Sequence, residues 1–403
     1  MYWKYCSDPF MYFLNRIYRI GKQFFFAKKF FLLPAQVNVL IYDANGAETL
    51  TRYIGDVSFS ILHVRGESLN LRVILSCILN LEFSFQSYLI RYINFVKPQL
   101  VITFTDNSLN FIKLSRYFKD VKFVFIQNGW RGYYQDIFCE LDIVSNDFLE
   151  EFYVDDMFVF GDGVALEYGK YIKGDIHSIG SMRCNLSPKI LEKERGLITY
   201  VSQWIPSGFH IEGIFYTFEE YTHQANSMVA KPLIEFAAER VKKIKVLLRN
   251  KNTKSDDYEL ERDYYRQLFG ENVEFYEGGE GISPYEVVDR SELVVGIDST
   301  LLYESLARGC KTAVLSIRGD ILNLQGFGFG WPANYGQKGF FWCNVASIDC
   351  IRKVLEEVDK VDDLTWKKCL EENRVINLIT IDYDNLSLKN RLQEILASVR
   401  RVD

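Results

Sequence analysis

The 403 residues are 48% hydrophobic and 25% charged, with a formal net charge of −6; a chain of this size buries a large core, divides into about two domains and excludes long disorder. The acidic balance argues against whole-molecule attraction to nucleic acid, no apolar run is long enough for a spanning helix, and the opening residues do not read as a signal peptide. Eight cysteines without a CxxC pair, and four histidines without an HExxH or His-x-His spacing, argue against a disulfide framework and a histidine-ligated metal, and point to a reducing, cytoplasmic compartment.

Residues 1–36 read as a separate arm. From Met11 to Leu33 the chain mixes Phe, Tyr, Ile and Leu with Arg16, Arg19, Lys22, Lys28 and Lys29, and carries no acidic residue before the arm ends at Pro34. An amphipathic helix of this kind suits an anionic membrane surface, which would make the protein peripheral at the inner membrane face. The alternative is a helix that packs its aromatic stripe on its own domain.

From Val37 to residue 190, strand-like and helix-like segments alternate. Val37–Tyr42 and Val57–Val64 predict strands, and Leu69–Leu79 and Phe85–Val96 predict helices. Leu100–Thr105 predicts a strand that runs into Asp106-Asn107-Ser108, which are helix-capping residues, ahead of a helix over Leu109–Phe118. Val121–Ile126, Met157–Phe160 and Ile176–Ile179 predict further strands, and Val164–Ile172 a helix. Short apolar strands separated by helices imply a parallel sheet with crossover helices.

The pattern restarts after a boundary near 185–196 and runs to about 345. Strands are predicted at Leu197–Ser202, Ile244–Leu248, Val273–Tyr276, Leu293–Ile297 and Thr312–Ile317. Helices are predicted at Phe218–Val241, Asp256–Phe269, Pro284–Asp289 and Leu301–Arg308. Residues 346–403 predict three terminal helices: Ile348–Val358, Leu364–Ile376 and Leu388–Val399. The expected fold class is therefore α/β, with two Rossmann-like lobes at 37–190 and 191–345, a cleft between them, and C-terminal helices.

Ligands of open parallel sheets bind beyond the carboxyl ends of the strands. The loops there are polar and Gly-rich: Asp106-Asn107-Ser108, Gln127-Asn128-Gly129-Trp130-Arg131-Gly132-Tyr133, Gly161-Asp162-Gly163, Gly180-Ser181, Ser202-Gln203, Arg249-Asn250, Glu277-Gly278-Gly279 and Asp298-Ser299-Thr300. In the last of these a strand ends and a helix starts at once. The free N–H groups of its first turn and the two hydroxyls suit an anion such as a nucleotide phosphate. Glu304, one turn in, suits a ribose, or else simply complements the helix dipole.

A strand ending in Asp298-Ser299-Thr300, with Glu304 four residues after the Thr and Gly309 closing the helix, resembles the donor-nucleotide segment of GT-B glycosyltransferases and their epimerase relatives. Phe125–Tyr133, Phe327–Pro332 and Gly339–Trp342 resemble proteins of bacterial surface-carbohydrate biosynthesis, and the length and lobe layout resemble retaining β-Kdo transferase modules of O-antigen and capsule assembly. The resemblance implies a GT-B glycosyltransferase that needs no metal or cofactor beyond a nucleotide-sugar co-substrate, with CMP-Kdo as the expected donor and a surface-polysaccharide or lipid-linked glycan as acceptor. It places the nucleotide on Arg249, Asn250, Asp298, Ser299, Thr300 and Glu304. Substrate is expected on Gln127, Asn128, Gly129, Arg131, Gly180, Ser181 and Gln203, with Arg131 holding the donor carboxylate. Asp106 is expected as base or nucleophile, with Asp162 as the alternate carboxylate. A sugar-nucleotide epimerase, a UDP- or GDP-sugar-dependent transferase and a non-catalytic binding protein are the competing readings.

Overall fold

The computed structural model describes residues 25–400, apart from 134–135, 149–150, 212, 277–282, 325 and 334. Its frame is two parallel sheets. The first takes β1 (Val39–Tyr42), β2 (Phe59–Leu62), β3 (Leu100–Thr103), β4 (Lys122–Ile126), β5 (Phe152–Val159) and β6 (Ile172–Ser178) in the order β2-β1-β3-β4-β5-β6. The second takes β7 (Leu197–Val201), β8 (Lys243–Leu247), β9 (Glu274–Phe275), β10 (Leu293–Gly296) and β11 (Thr312–Val314) in the order β9-β8-β7-β10-β11. Both orders are those of doubly wound sheets, and each reverses at one point: between β1 and β3, and between β7 and β10.

The burial pattern explains the strands. β1, β3, β7 and β10 are buried at every residue, because helices cover both faces, and so they read as unbroken apolar runs. The first sheet carries a separate core on each face, one around Phe111, Phe123 and Phe125, the other around Ile41, Ile102 and Val124. The second sheet sits in one larger core that also takes in Phe329, Phe341 and Trp342.

The terminal helices split between the lobes. Ile348–Lys360 and Asp363–Glu372 pack on the second core through Val354, Leu355 and Trp366. Helix Leu386–Arg400 instead returns to the first lobe, where Leu388, Leu392 and Ile395 pack with Val39, Ile41 and Leu50. The return is pinned by amide hydrogen bonds: Asn185 Nδ2 donates to Asn385 Oδ1 at 2.8 Å, and Asn385 Nδ2 donates to Met182 O and Tyr53 Oη, each at 2.8 Å. The strand-end call at Gly180 proves to belong to this crossing. Its φ of +75° and the 2.1 Å from a Cβ placed there to Thr380 O leave no room for a side chain.

Two expectations are corrected. The described end of the arm is not helical to Leu33, since Lys28–Phe30 is a strand paired in parallel with Ser68–Asn70; residues 1–24 lie outside the described set. The long helix expected over 218–241 is a wider turn at Glu219–His223 followed by Gln224–Glu239. Helix Ile137–Phe148 and the hairpin Phe209–Ile211/Ile214–Tyr216 have no counterpart in the sequence reading. Among the described residues no helix is long and apolar enough to cross a membrane.

Candidate functional site

The loops that leave the carboxyl ends of both sheets meet each other. Trp130, after β4, donates its N–H to Thr300 Oγ1, after β10, at 3.0 Å. The Trp130 ring stacks on Tyr303 with centroids 3.7 Å apart and planes 11° apart. Ser181, after β6, hydrogen-bonds to Glu304, which also accepts from Tyr285 Oη at 3.0 Å. Burial pushes the Glu304 carboxyl up to about 7, and those two hydrogen bonds hold it from going higher. The sequence had placed a ribose on Glu304. The structure spends this side chain on the junction between lobes, and Thr300 with it. Ser299 caps its helix, accepting from Leu301 N at 3.3 Å.

On the first-lobe side the charges close on themselves. Asp106 is fully buried and accepts from Arg131 Nε at 2.7 Å, Tyr168 Oη at 2.6 Å and Asn128 N at 3.2 Å, and it pairs with Arg131 Nη2 as well. Arg131 Nη2 also donates to Asn128 Oδ1 at 2.6 Å. Burial opposes the Arg131 charge, but Asp106 outweighs it, so the guanidinium is raised above its ordinary range. Burial likewise pushes Asp136, 3.7 Å from Arg131, up to about 6. Two expectations therefore need correcting. Asp106 has its lone pairs occupied and is not placed as base or nucleophile, and Arg131 is bound by Asp106 and Asn128 rather than open to a donor carboxylate.

Gln127 is also consumed. Its Oε1 accepts from Phe160 N at 2.8 Å and its Nε2 donates to Gly129 O at 2.9 Å, so it braces the loop. Ser181 accepts from Cys184 N at 3.4 Å in addition to facing Glu304. Asp162 is exposed in the first turn of helix Asp162–Gly169, whose loop packs against residues 376–378. The structure does not bring it to Asp106 or Arg131.

On the second-lobe side the strand-end groups stand around the β7–β10 reversal. Gln203, after β7, donates its N–H to Tyr265 Oη at 3.3 Å. Arg249, after β8, is exposed, and its Nη1 donates to Trp204 O at 3.1 Å. Glu261, fully buried, accepts from Arg249 N at 2.7 Å, Asn250 Nδ2 at 2.6 Å and Ser202 Oγ at 2.5 Å, which fixes both loops. Asp298 accepts from Ser316 Oγ and from Arg318 Nη1, each at 2.6 Å.

Arg318 is missing from the sequence-derived set. It is buried, lies 4.2 Å over the Tyr221 ring, donates Nε to Tyr221 O, and has an Nη2 with no hydrogen-bond partner among the described residues. It follows β11, so the strand-end rule that found Asp298 would have found it. Beyond it lies a cavity of about 390 Å³ lined by Asp320, Asn323, Trp331 and Tyr335 among others. Trp331 packs on Phe138 of the first lobe at 4.6 Å.

Two doubly wound parallel sheets whose strand-end loops meet make a two-lobed α/β architecture. Within it, the chain belongs to the family described as "putative O-antigen biosynthesis protein", whose model matches residues 124–396. Among solved structures it is similar to a glycosyltransferase from Rickettsia africae, at 12% identity and a TM-score of 0.47, with 90% of this chain and 99% of that one covered. It is also similar to the wall teichoic acid polymerase TagF, at 9% identity and a TM-score of 0.45, with 90% of each chain covered. A third likeness is to a UDP-GlcNAc 2-epimerase from Neisseria meningitidis, at 11% identity and a TM-score of 0.45, covering 89% of this chain and 99% of that one. No curated protein matches the sequence.

Proposed function

We propose that this protein is a glycosyltransferase of O-antigen assembly that moves a sugar from a nucleotide-activated donor to a surface-polysaccharide or lipid-linked glycan acceptor. The observation that carries the reading is the meeting of both sets of strand-end loops, through Trp130, Thr300 and Tyr303, in a chain of an O-antigen biosynthesis family. In this reading the nucleotide lies at the β7–β10 reversal, with Arg249 and Arg318 answering its phosphate and Ser299 at the helix start. No metal enters the reading, since cationic side chains and a helix start answer the leaving phosphate. The acceptor lies on the first-lobe side, and the basic arm before Pro34 adds peripheral association with an anionic membrane.

A thermal-shift panel of CMP, CDP, UDP, GDP and ADP tests the nucleotide site. A specific ligand well above its Kd raises stability by a few kcal/mol, and no shift with any of the five would remove the site. Turnover of the matching donor sugars, CMP-Kdo among them, then separates the chemistries. Transfer that requires acceptor supports the proposal, whereas conversion of the donor alone makes the protein an epimerase.

A further inference from the structure

Helix Leu71–Leu79, at the edge of the first lobe, reads Leu-Arg-Val-Ile-Leu-Ser-Cys-Ile-Leu. Val73 and Cys77 are buried against the core, while Leu75, Ile78 and Leu79 are exposed. A helix whose apolar residues, Leu75, Ile78 and Leu79, also stand outside its buried stripe suits a non-aqueous neighbour. The apolar surface continues into the following turn, where Leu81 is 79% and Phe83 77% exposed. It also continues into the arm. The pairing of Lys28–Phe30 with Ser68–Asn70 lays the arm beside the helix start, and Asn70 Nδ2 donates to Leu32 O at 2.8 Å while Arg72 Nε donates to Phe31 O at 3.2 Å. Phe31 is left 68% and Leu32 81% exposed. Contiguous apolar surface of this kind marks an interaction face.

Charge tells which kind. Residues 25–34 contain no carboxylate, and between Ser68 and Val96 the one carboxylate is Glu82, paired with Arg91 at 2.7 Å. The cations Lys28, Lys29 and Arg72 stand on the same segments of a chain whose net charge is −6. Large apolar side chains rimmed by cations, with Glu82 paired and Glu67 set beside Lys28, fit the interface of an anionic bilayer.

We propose that this face, made by residues 25–34 and by Leu71–Phe83, docks on an anionic lipid bilayer. The inference rests on the membrane reading of the arm and adds to it a second element, anchored in the core of the first lobe. Arg65, on the loop between β2 and Ser68–Asn70, pairs with Asp43 at the end of β1 at 2.7 Å. The face therefore borders the carboxyl edge of the sheet on which the acceptor is proposed to lie, where a lipid-linked acceptor arrives from the membrane.

The test is co-sedimentation of the full chain with vesicles of phosphatidylcholine alone, or of phosphatidylcholine with phosphatidylglycerol. Wild type is expected to partition onto the anionic vesicles only. Replacing Leu79, Leu81 and Phe83 together by Ser should weaken that partition at least about tenfold, since each inserted side chain contributes. Lys28→Gln with Arg72→Gln should reduce the preference for phosphatidylglycerol. Leu166→Ser, at an exposed leucine elsewhere, should bind as wild type. The triple variant should turn over a water-soluble acceptor as wild type does, so loss of vesicle binding is distinguishable from failure of the transferase reading. The proposal is overturned if wild type ignores anionic vesicles, if the triple variant binds them undiminished, or if sedimentation shows the face joining two copies of the chain in place of lipid.

Discussion

The two sides of the lobe junction use similar residues to opposite ends. On the first side, Asp106 and Arg131 are both buried, and each satisfies the other with help from Tyr168 and Asn128. On the second side, Arg249 stands exposed, and Arg318, buried and paired with Asp298, still keeps one nitrogen without a hydrogen-bond partner among the described residues. A polar loop at a strand end is thus either a brace or a binding surface, and what separates the two is whether every donor of its cations finds a partner inside the protein. A brace answers mutation with loss of stability, whereas a binding surface answers with loss of affinity.

The largest effect should come from breaking the closed side. Asp106→Ala leaves the Arg131 charge buried beside no carboxylate but Asp136, and should cost about 3–5 kcal/mol of unfolding free energy. Urea denaturation measures this. A variant as stable as wild type that lost only turnover would return Asp106 to the catalytic role.

The pH dependence sharpens the contrast. The Glu304 carboxyl sits at about 7 in the folded chain against an ordinary 4.5, so the folded state holds this proton more tightly than the unfolded state does. Its contribution is therefore complete below about pH 4.5 and is lost as pH rises through about 7, on the order of 3 kcal/mol in all. Asp136, raised to about 6, acts with the same sign. Glu304→Gln should flatten the slope of stability between pH 5 and about 7 and leave the variant more stable than wild type above it. An unchanged slope would mean that Glu304 is solvated, as a ribose-binding side chain in an open site would be.

Thr300→Val tests the seam itself. It strips the acceptor from Trp130 N, and a half-buried N–H left unpaired costs about 1–2 kcal/mol. Thermal unfolding reads the cost, and a loss of nucleotide affinity at unchanged stability would place Thr300 in the site rather than in the seam. The smallest stability effect belongs to Arg249→Ala, within about 0.5 kcal/mol because the side chain is exposed. Its nucleotide affinity should nevertheless fall about tenfold, the loss of one charge-assisted hydrogen bond. Calorimetric titration with the nucleotide found in the panel settles whether that side of the junction binds.

Much of the frame was legible in the residues. The helices predicted at Phe85–Val96 and Asp256–Phe269 match to the residue, because each has a Ser N-cap and an apolar period that ends at a Lys or Gly able to take an unusual φ. The alternation of apolar strands with helices was enough to give two parallel sheets, since burial on both faces writes itself into a local run of residues. The strand-end loops were likewise found by rule, and those that carry Trp130, Ser181 and Thr300 do meet. What the residues could not tell was how each loop side chain is spent. Asp106 meets Arg131 25 positions away and Trp130 meets Thr300 170 positions away. The return of helix Leu386–Arg400 to the first lobe depends on Asn385 reaching Asn185, 200 positions back. The pairing of Lys28–Phe30 with Ser68–Asn70 turned an expected helix into a strand in the same way. Periodicity and capping are local and can be read along the chain, but ion pairs, lobe contacts and edge pairing are decided only when distant segments are brought together.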